Sequence, residues 1–221
     1  MQSSNSVENY IKGIHSLSSS EKDWVSTNVL AEKMNIRPSS VTDMIKRLRS
    51  KKLVSYQKYK GVKLTSHGEE LALKVIRKHR LWEVFLHNKL GFNWDEVHDI
   101  AEQLEHIASS ELVERLDAYL EFPKYDPHGD PIPDSKGKMK DSSRELLSNL
   151  KVGDSGQLVG VEDSSSSFLQ FLESKKLNLG CTISVIEIFE YDESMEIKLM
   201  GIEKSMNVSR DVCHNLYMIK Q

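Results

Sequence analysis

With 221 residues, 38% hydrophobic and 29% charged side chains and a formal net charge of −3, the chain has the makeup of a soluble globular protein of one or two domains. No apolar run approaches the roughly 18 residues of a membrane span, and the start MQSSNSVENY has neither the basic region nor the apolar core of a secretory signal. Cys181 and Cys213 form no CxxC pair and suggest no disulfide framework, so a cytoplasmic location is the default expectation.

The charge is unevenly placed. Residues 1–70 hold 12 Lys+Arg against 7 Asp+Glu, a balance of +5, and the remainder holds 18 against 26, a balance of −8. A basic head on an acidic body fits a nucleic-acid contact confined to one end.

In chain order, Val7, Tyr10, Ile11, Ile14 and Leu17 recur at helical spacing behind Ser6 as an N-cap. Ser18 to Trp24 is a polar loop. From Ser26 the pattern is helix, short turn, helix. Val29, Leu30, Ala31 and Met34 form the inward face of the first helix, Ile36 and Arg37 the turn, and Pro38 opens the second at a position where a missing N–H costs little. Val41, Met44, Ile45 and Leu48 are the buried stripe of that second helix. This is a helix-turn-helix pattern, whose second helix lies in a major groove and meets base edges near its start. Arg37, Pro38, Ser39, Ser40, Thr42, Asp43, Lys46 and Arg47 are the candidates for DNA contact. Between Lys46 and Lys63 there are eight basic residues and no acidic one. Within that run LVSYQKYKGVKLT predicts two short strands around Lys60-Gly61, a wing whose Lys58, Lys60 and Lys63 meet phosphates. A basic amphipathic helix alone is more often a solvated face. The combination with a wing and a local positive balance is what favours DNA.

Residues 66–90 predict a long amphipathic helix, apolar at Leu71, Val75, Leu81 and Phe85, with Ser66 and Glu69 as a capping-box start. After the break GFNW, a further helix capped by Asn93 or Asp95 runs on through Leu112 and Leu116 to Leu120. Residues 121–141 hold four of the five prolines and two glycines and form a linker. From about residue 150 short β-branched segments alternate with one helix, SSFLQFLESKKLN, which suggests a small SH3-like β-barrel. The fold class expected is mainly α with small β parts (α+β).

The stretch 77–106 is dense in metal-capable side chains. His79 and Glu83 are four residues apart, and His98, Glu102, Glu105 and His106 follow at offsets of four, seven and eight, so each set shares a helix face. One His or Glu on a helix is usually solvated, but six on two consecutive helices favour a divalent cation. Carboxylates and imidazoles without thiolate suit Mn²⁺ or Fe²⁺, and Zn²⁺ or Co²⁺ would bind such a set in vitro. No HExxH, nucleophile–base pair or phosphate loop supports an enzyme. A metal-independent winged-helix protein with solvated His/Glu stripes is the remaining rival.

The segments PSSVTDMIKRL, KGVKLTSHG, RKHRLWEVFL, VHDIAEQLEH and DPHGDPIP, in this order, resemble the diphtheria-toxin-repressor and manganese-transport-regulator family of metal-dependent repressors. The resemblance covers nearly the whole chain. It implies a winged helix-turn-helix domain over 1–70, a helical dimerisation and metal-binding domain over 71–140, and an SH3-like (FeoA-type) domain over 141–221. It further implies a homodimer that binds double-stranded operator DNA and represses metal-uptake genes, with no membrane partner. The regulatory metal site falls on Glu102, Glu105 and His106 with a first-helix ligand at Asn9, where relatives have Asp or Met; Glu8 substitutes only if that helix rotates. The second site falls on His79, Glu83 and His98, with Asp126 and His128 from the linker and Asp163 from the C-terminal domain. Glu102 stands where the iron-sensing branch has Cys, which favours Mn(II), with an Fe(II) repressor of the same architecture as the alternative.

Overall fold

The computed structural model describes residues 5–18, 23–139 and 143–221. The predicted loop Ser18 to Trp24 and the end of the 121–141 linker therefore lie partly outside the described residues. The chain divides into two units, Met1–Trp82 with Ala101–Phe122 and Pro133–Met139, and Glu83–Ile100 with Pro123–Ile132 and Lys140–Gln221.

In the first unit, α1 (Asn5–Leu17) buries Val7, Tyr10, Ile11 and Ile14, the apolar stripe that its 3.6-residue spacing predicts. Ser6 lies inside this helix rather than at its cap. Helix α2 (Thr27–Lys33) is capped by Ser26, whose side chain accepts from the Asn28 amide. It buries Leu30 and Ala31, while Val29, expected to face inward, is 46% exposed; it sits about 100° around the helix from Leu30. Asn35 takes φ 51° to end the helix, a conformation Asn tolerates better than most residues. Helix α3 (Pro38–Ser50) starts on proline and buries Val41, Ile45 and Leu48.

Strands β1 (Val54–Gln57) and β2 (Gly61–Leu64) pair antiparallel, with Gln57 opposite Gly61. Val25 joins as a third member by exchanging both backbone hydrogen bonds with Val62, at 2.7 and 2.9 Å. That pairing explains Gly61: its φ is +112°, and a Cβ there would stand 2.0 Å from the Val25 carbonyl oxygen.

Helix α4 (Ser66–Leu90) begins at Ser66, but its cap is Thr65, whose hydroxyl accepts from the Gly68 amide. The expected capping box does not form, because the Glu69 carboxylate instead pairs with His15 of α1 at 2.9 Å. The helix expected to run unbroken to Leu120 is two helices, α5 (Val97–Leu104) and α6 (Ser110–Tyr119). Ser109 breaks it by capping α6 through the Leu112 amide, an alternative partner that Ser offers the backbone and an apolar pattern does not reveal. Buried Arg77 of α4 pairs with Asp117 of α6 at 2.8 Å and donates to the Pro133 carbonyl.

The second unit is a six-stranded antiparallel sheet. Its strands are β3 (Glu145–Leu146), β4 (Ser155–Val161), β5 (Thr182–Ile188), β6 (Met195–Leu199), β7 (Met206–Val208) and β8 (Leu216–Lys220), in the order β3-β8-β4-β5-β6-β7. Helix α7 (Ser166–Ser174) packs Leu169 and Leu172 into the core with Leu158, Ile183, Ile197 and Met218. Besides the one helix expected among these short strands, the segment 204–220 contains a one-turn helix α8 (Arg210–Cys213) capped by Ser209. Both cysteines are free thiols, and burial pushes Cys213 up to about 11, which makes it inert. Among the described residues no helix is long and apolar enough to cross a membrane.

Replacing Gly61 by Ala should unseat the β2–Val25 pairing. We expect a loss of about 3 kcal/mol in unfolding free energy, measured by urea denaturation, with a smaller effect for Gly153→Ala, where φ is also positive but no neighbour lies within 4 Å.

Candidate metal centre and nucleic-acid interface

Arg37, Pro38, Ser39, Ser40, Thr42, Asp43, Lys46 and Arg47 are all exposed, on α3 and the turn before it. Three side chains are partly committed within the helix: the Thr42 hydroxyl donates to the Pro38 carbonyl at 3.0 Å, and Lys46 pairs with Asp43 at 3.0 Å. On the hairpin, Lys58 and Lys60 are exposed, and Lys63 sits over the Trp24 ring at 5.1 Å. Tyr59, between the two lysines at the tip, is 94% exposed with φ +69°; nothing in the apolar periodicity marks it.

Metal-capable residues of 77–106 occur in both units. A first cluster belongs to the first unit and joins α1, α4 and the end of α5. Its centre is Glu105, fully buried in the turn just after α5, its amide still bonded to the Ala101 carbonyl. Glu105 Oε2 accepts from His79 Nδ1 at 2.6 Å and from Lys12 Nζ at 2.8 Å, and Lys12 also reaches Glu102 Oε1 at 3.1 Å. His106 Nδ1 donates to Glu8 Oε2 at 2.8 Å, and its Nε2 lies 3.8 Å from Glu105 Oε1. Lys78 stands 3.6 Å from Glu8. Burial alone raises the Glu105 carboxyl, but the His79 hydrogen bond and the Lys12 and His79 charges outweigh it and hold the group below its usual range.

Among the described residues, the buried acceptors Glu105 Oε1 and Asn9 Oδ1 have no hydrogen-bond partner. A buried carboxylate oxygen with no donor is costly. A cation beside it would relieve that cost, and the neighbouring His106 Nε2 is the second ring nitrogen of an imidazole whose Nδ1 is already engaged. The residues present therefore fit a divalent ion with oxygen and imidazole ligands. Asn9 was expected as the first-helix ligand. Helix α1 brings Glu8 to 2.8 Å from His106 Nδ1, and Glu8 and Lys12, four residues apart, share a helix face. Neither Lys12 nor the placement of Glu8 was foreseen; the i,i+4 Glu–Lys pair was the available signal, and it is commonplace on solvated helices.

The second cluster belongs to the second unit. Glu83, buried on α4, lies 3.4 Å from His98 Nδ1 and 3.7 Å from His128 Nδ1. Glu83, Asp126 and His128 each offer a ligand atom within 4.8 Å of the others. His128 Nε2 donates to the Trp94 carbonyl at 2.8 Å, which turns Nδ1 towards the carboxylates. Asp126 Oδ1 accepts the His128 and Asp130 amides, the Val161 amide bonds the His128 carbonyl, and Arg144 donates to the Gly129 carbonyl at 2.9 Å. The loop is thus pinned to the sheet. Asp163 is exposed, and its carboxylate accepts the Ser165 amide; it is not in this cluster. His79 stands one turn before Glu83 on α4, with its Nδ1 committed to Glu105.

Burial alone pulls the His128 imidazolium down, but the Glu83 hydrogen bond and charge, helped by Asp126, carry it up to about 9. The raised value means that the pair contributes stability in full below about pH 6.5 and loses it as pH rises through about 9. In chelator, unfolding free energy should therefore fall across that window by up to about 3 kcal/mol. A His128→Gln variant should lack this slope, as followed by urea titrations at successive pH values.

Comparison with known proteins accords with this geometry. Residues 2–62 match the family described as iron dependent repressor, N-terminal DNA binding domain. Residues 65–134 match its metal binding and dimerisation domain, and residues 146–218 match the FeoA domain. The chain is 36% identical over 118 residues to an uncharacterized HTH-type transcriptional regulator of Methanocaldococcus jannaschii, spanning 53% of this chain and 94% of that protein. It is 31% identical over 141 residues to the HTH-type transcriptional regulator MntR of Oceanobacillus iheyensis, spanning 64% and 93%. Among solved structures, a manganese-dependent transcriptional repressor in complex with manganese superposes with a TM-score of 0.88 at 32% identity, covering 97% of this chain and 100% of that one. The manganese regulator SloR gives 0.78 at 33%, covering 97% and 98%. With these three matches in succession along one chain, the protein belongs to the iron-dependent-repressor family of metal-dependent DNA-binding transcriptional repressors, the family of the diphtheria toxin repressor and MntR.

Proposed function

We propose that this chain is a Mn²⁺-activated repressor that binds operator DNA as a homodimer. The observation that carries the reading is Glu105 Oε1, buried without a donor at the point where α1 of the helix-turn-helix region meets α4 and α5. The regulatory ligands on this reading are Glu102, Glu105 and His106, joined from α1 by Glu8 or Asn9. The second set is Glu83, Asp126, His128 and His98, with His79 on the adjoining turn of α4. Manganese rather than iron is favoured by Glu102, which stands where the resemblance gives the iron-sensing branch a Cys, and by the manganese-dependent repressors among the similar structures.

A bound divalent ion supplies the positive charge that lets several carboxylates stay together in a buried place. The chain's own residues do the rest. Glu105 and His106 come from a turn anchored to α5, while Glu8 and Asn9 come from α1, whose buried stripe packs against the α2–α3 region. Tying these together restricts the pose of α3, and the DNA-competent fraction rises as the restricted pose becomes the dominant one. The exposed face of α3 then meets base edges and the wing lysines meet phosphates. Exposed Leu112 and Tyr119 on α6, with Phe122 just after it, supply an apolar surface for a second copy, which pairs two recognition helices on two half-sites.

The test is anisotropy of labelled DNA from upstream of metal-uptake genes, in Mn²⁺, in anaerobic Fe²⁺ and in chelator. Tight binding is expected with Mn²⁺ and should be lost by at least about a hundredfold in Glu105→Gln. Preference for Fe²⁺ would transfer the assignment to iron, and equal binding in chelator would remove the metal from the mechanism.

A further inference from the structure

The ammonium of Lys12 lies between the two carboxylates assigned to the regulatory metal. It is 2.8 Å from Glu105 Oε2 and 3.1 Å from Glu102 Oε1, and its side chain is only 20% exposed. Among the described residues the other ion-pair partners of Glu105 are imidazoles, His79 at 2.6 Å and His106 at 3.8 Å. We infer that Lys12 is a resident counter-cation of the regulatory site: its ammonium neutralises Glu105 and Glu102 in the metal-free protein and is exchanged for the divalent ion, so that it sets the metal concentration at which the repressor switches. This rests on the metal reading of Glu102, Glu105 and His106 given above.

The argument is one of charge and distance. A carboxylate as deeply buried as Glu105 needs a compensating positive group at all times, and Lys12 with His79 provides it in this structure. A divalent ion bound by oxygen at about 2.2 Å on the same carboxylates would stand within a few ångströms of the Lys12 nitrogen, close enough for strong repulsion in a poorly solvated place. The lysine has the means to leave, with four methylenes and a partly exposed head. Binding metal therefore means giving up two charge-assisted hydrogen bonds, which weakens apparent affinity relative to a site lacking the lysine. The same lysine keeps the metal-free protein folded with Glu105 ionised, so that it protects the form that does not repress. No bond is made or broken and the ammonium keeps its proton.

Mn²⁺ affinity is to be measured by competition with a fluorescent chelator, in a Glu83→Gln background that silences the second cluster, alongside melting temperatures in excess chelator and in saturating Mn²⁺. Lys12→Met, similar in length and uncharged, should bind Mn²⁺ roughly tenfold more tightly. It should also melt lower than its parent in chelator and gain more from Mn²⁺. Lys12→Arg, which keeps the charge, should stay near the parent in both respects. Unchanged or weaker Mn²⁺ affinity in Lys12→Met overturns the inference, as does an equal gain in Lys12→Arg. Adding Glu105→Gln to the Glu83→Gln parent separates this from the underlying assignment: if Mn²⁺ affinity survives that change, the regulatory site itself has been misplaced.

Discussion

A fully buried carboxylate, Glu105, is the constraint about which the first unit is built. Its desolvation is worth several kcal/mol against folding unless positive groups answer it, and two different helices supply them, Lys12 from α1 and His79 from α4. Because each partner reaches Glu105 from its own helix, the electrostatic need of a single side chain holds the helix-turn-helix region to the helices behind it. His106, the next residue, makes a parallel tie to Glu8. The contact between the two parts is therefore polar and incompletely satisfied, with one oxygen of Glu105 and the amide oxygen of Asn9 lacking donors. An apolar seam would have been as stable and insensitive to cations; a polar one makes the geometry answer to whatever cation is present.

The second cluster follows a different logic. Glu83, Asp126 and His128 are buried together; burial is the largest single effect on the His128 imidazolium and pulls it down, but the Glu83 hydrogen bond and charge, with Asp126, together outweigh it. The loop bearing Asp126 and His128 is stitched to the sheet by backbone hydrogen bonds and by Arg144, whose guanidinium also lies over the Tyr217 ring at 4.0 Å. Side-chain positions there are held by the backbone bonds between the loop and the sheet, whereas those of the first cluster depend on the mutual pose of three helices.

The helices could be placed from the sequence because their apolar residues recur at the helical period, and the helix-turn-helix because proline, a short turn and a buried stripe coincide at Pro38–Leu48. The wing was legible from its basic run and glycine. The places where the pattern misled are those where side chains bond to backbone: Ser109 divides a helix whose apolar spacing continues across the break, Ser209 caps a single turn among the short strands, and Thr65 takes the cap from Ser66. Such bonds are local competitions between conformations of similar pattern, and hydrophobic periodicity carries no trace of them.

The sequence by itself determined the family, the order of the elements, and the set of carboxylates and imidazoles available to a metal, because these follow from residue identity and spacing along the chain. Only the tertiary structure decided how that set is divided. Helix α5 places His98 against Glu83, and the turn after it places Glu105 against His79, although the spacing put His98, Glu102, Glu105 and His106 on one face. It also decided that Glu8 and Lys12, eight residues into the chain and beyond, stand with Glu102, Glu105 and His106 some ninety positions later. Contacts between residues so far apart depend on how the helices pack around a shared core, and a periodicity defined within one helix says nothing about its partner.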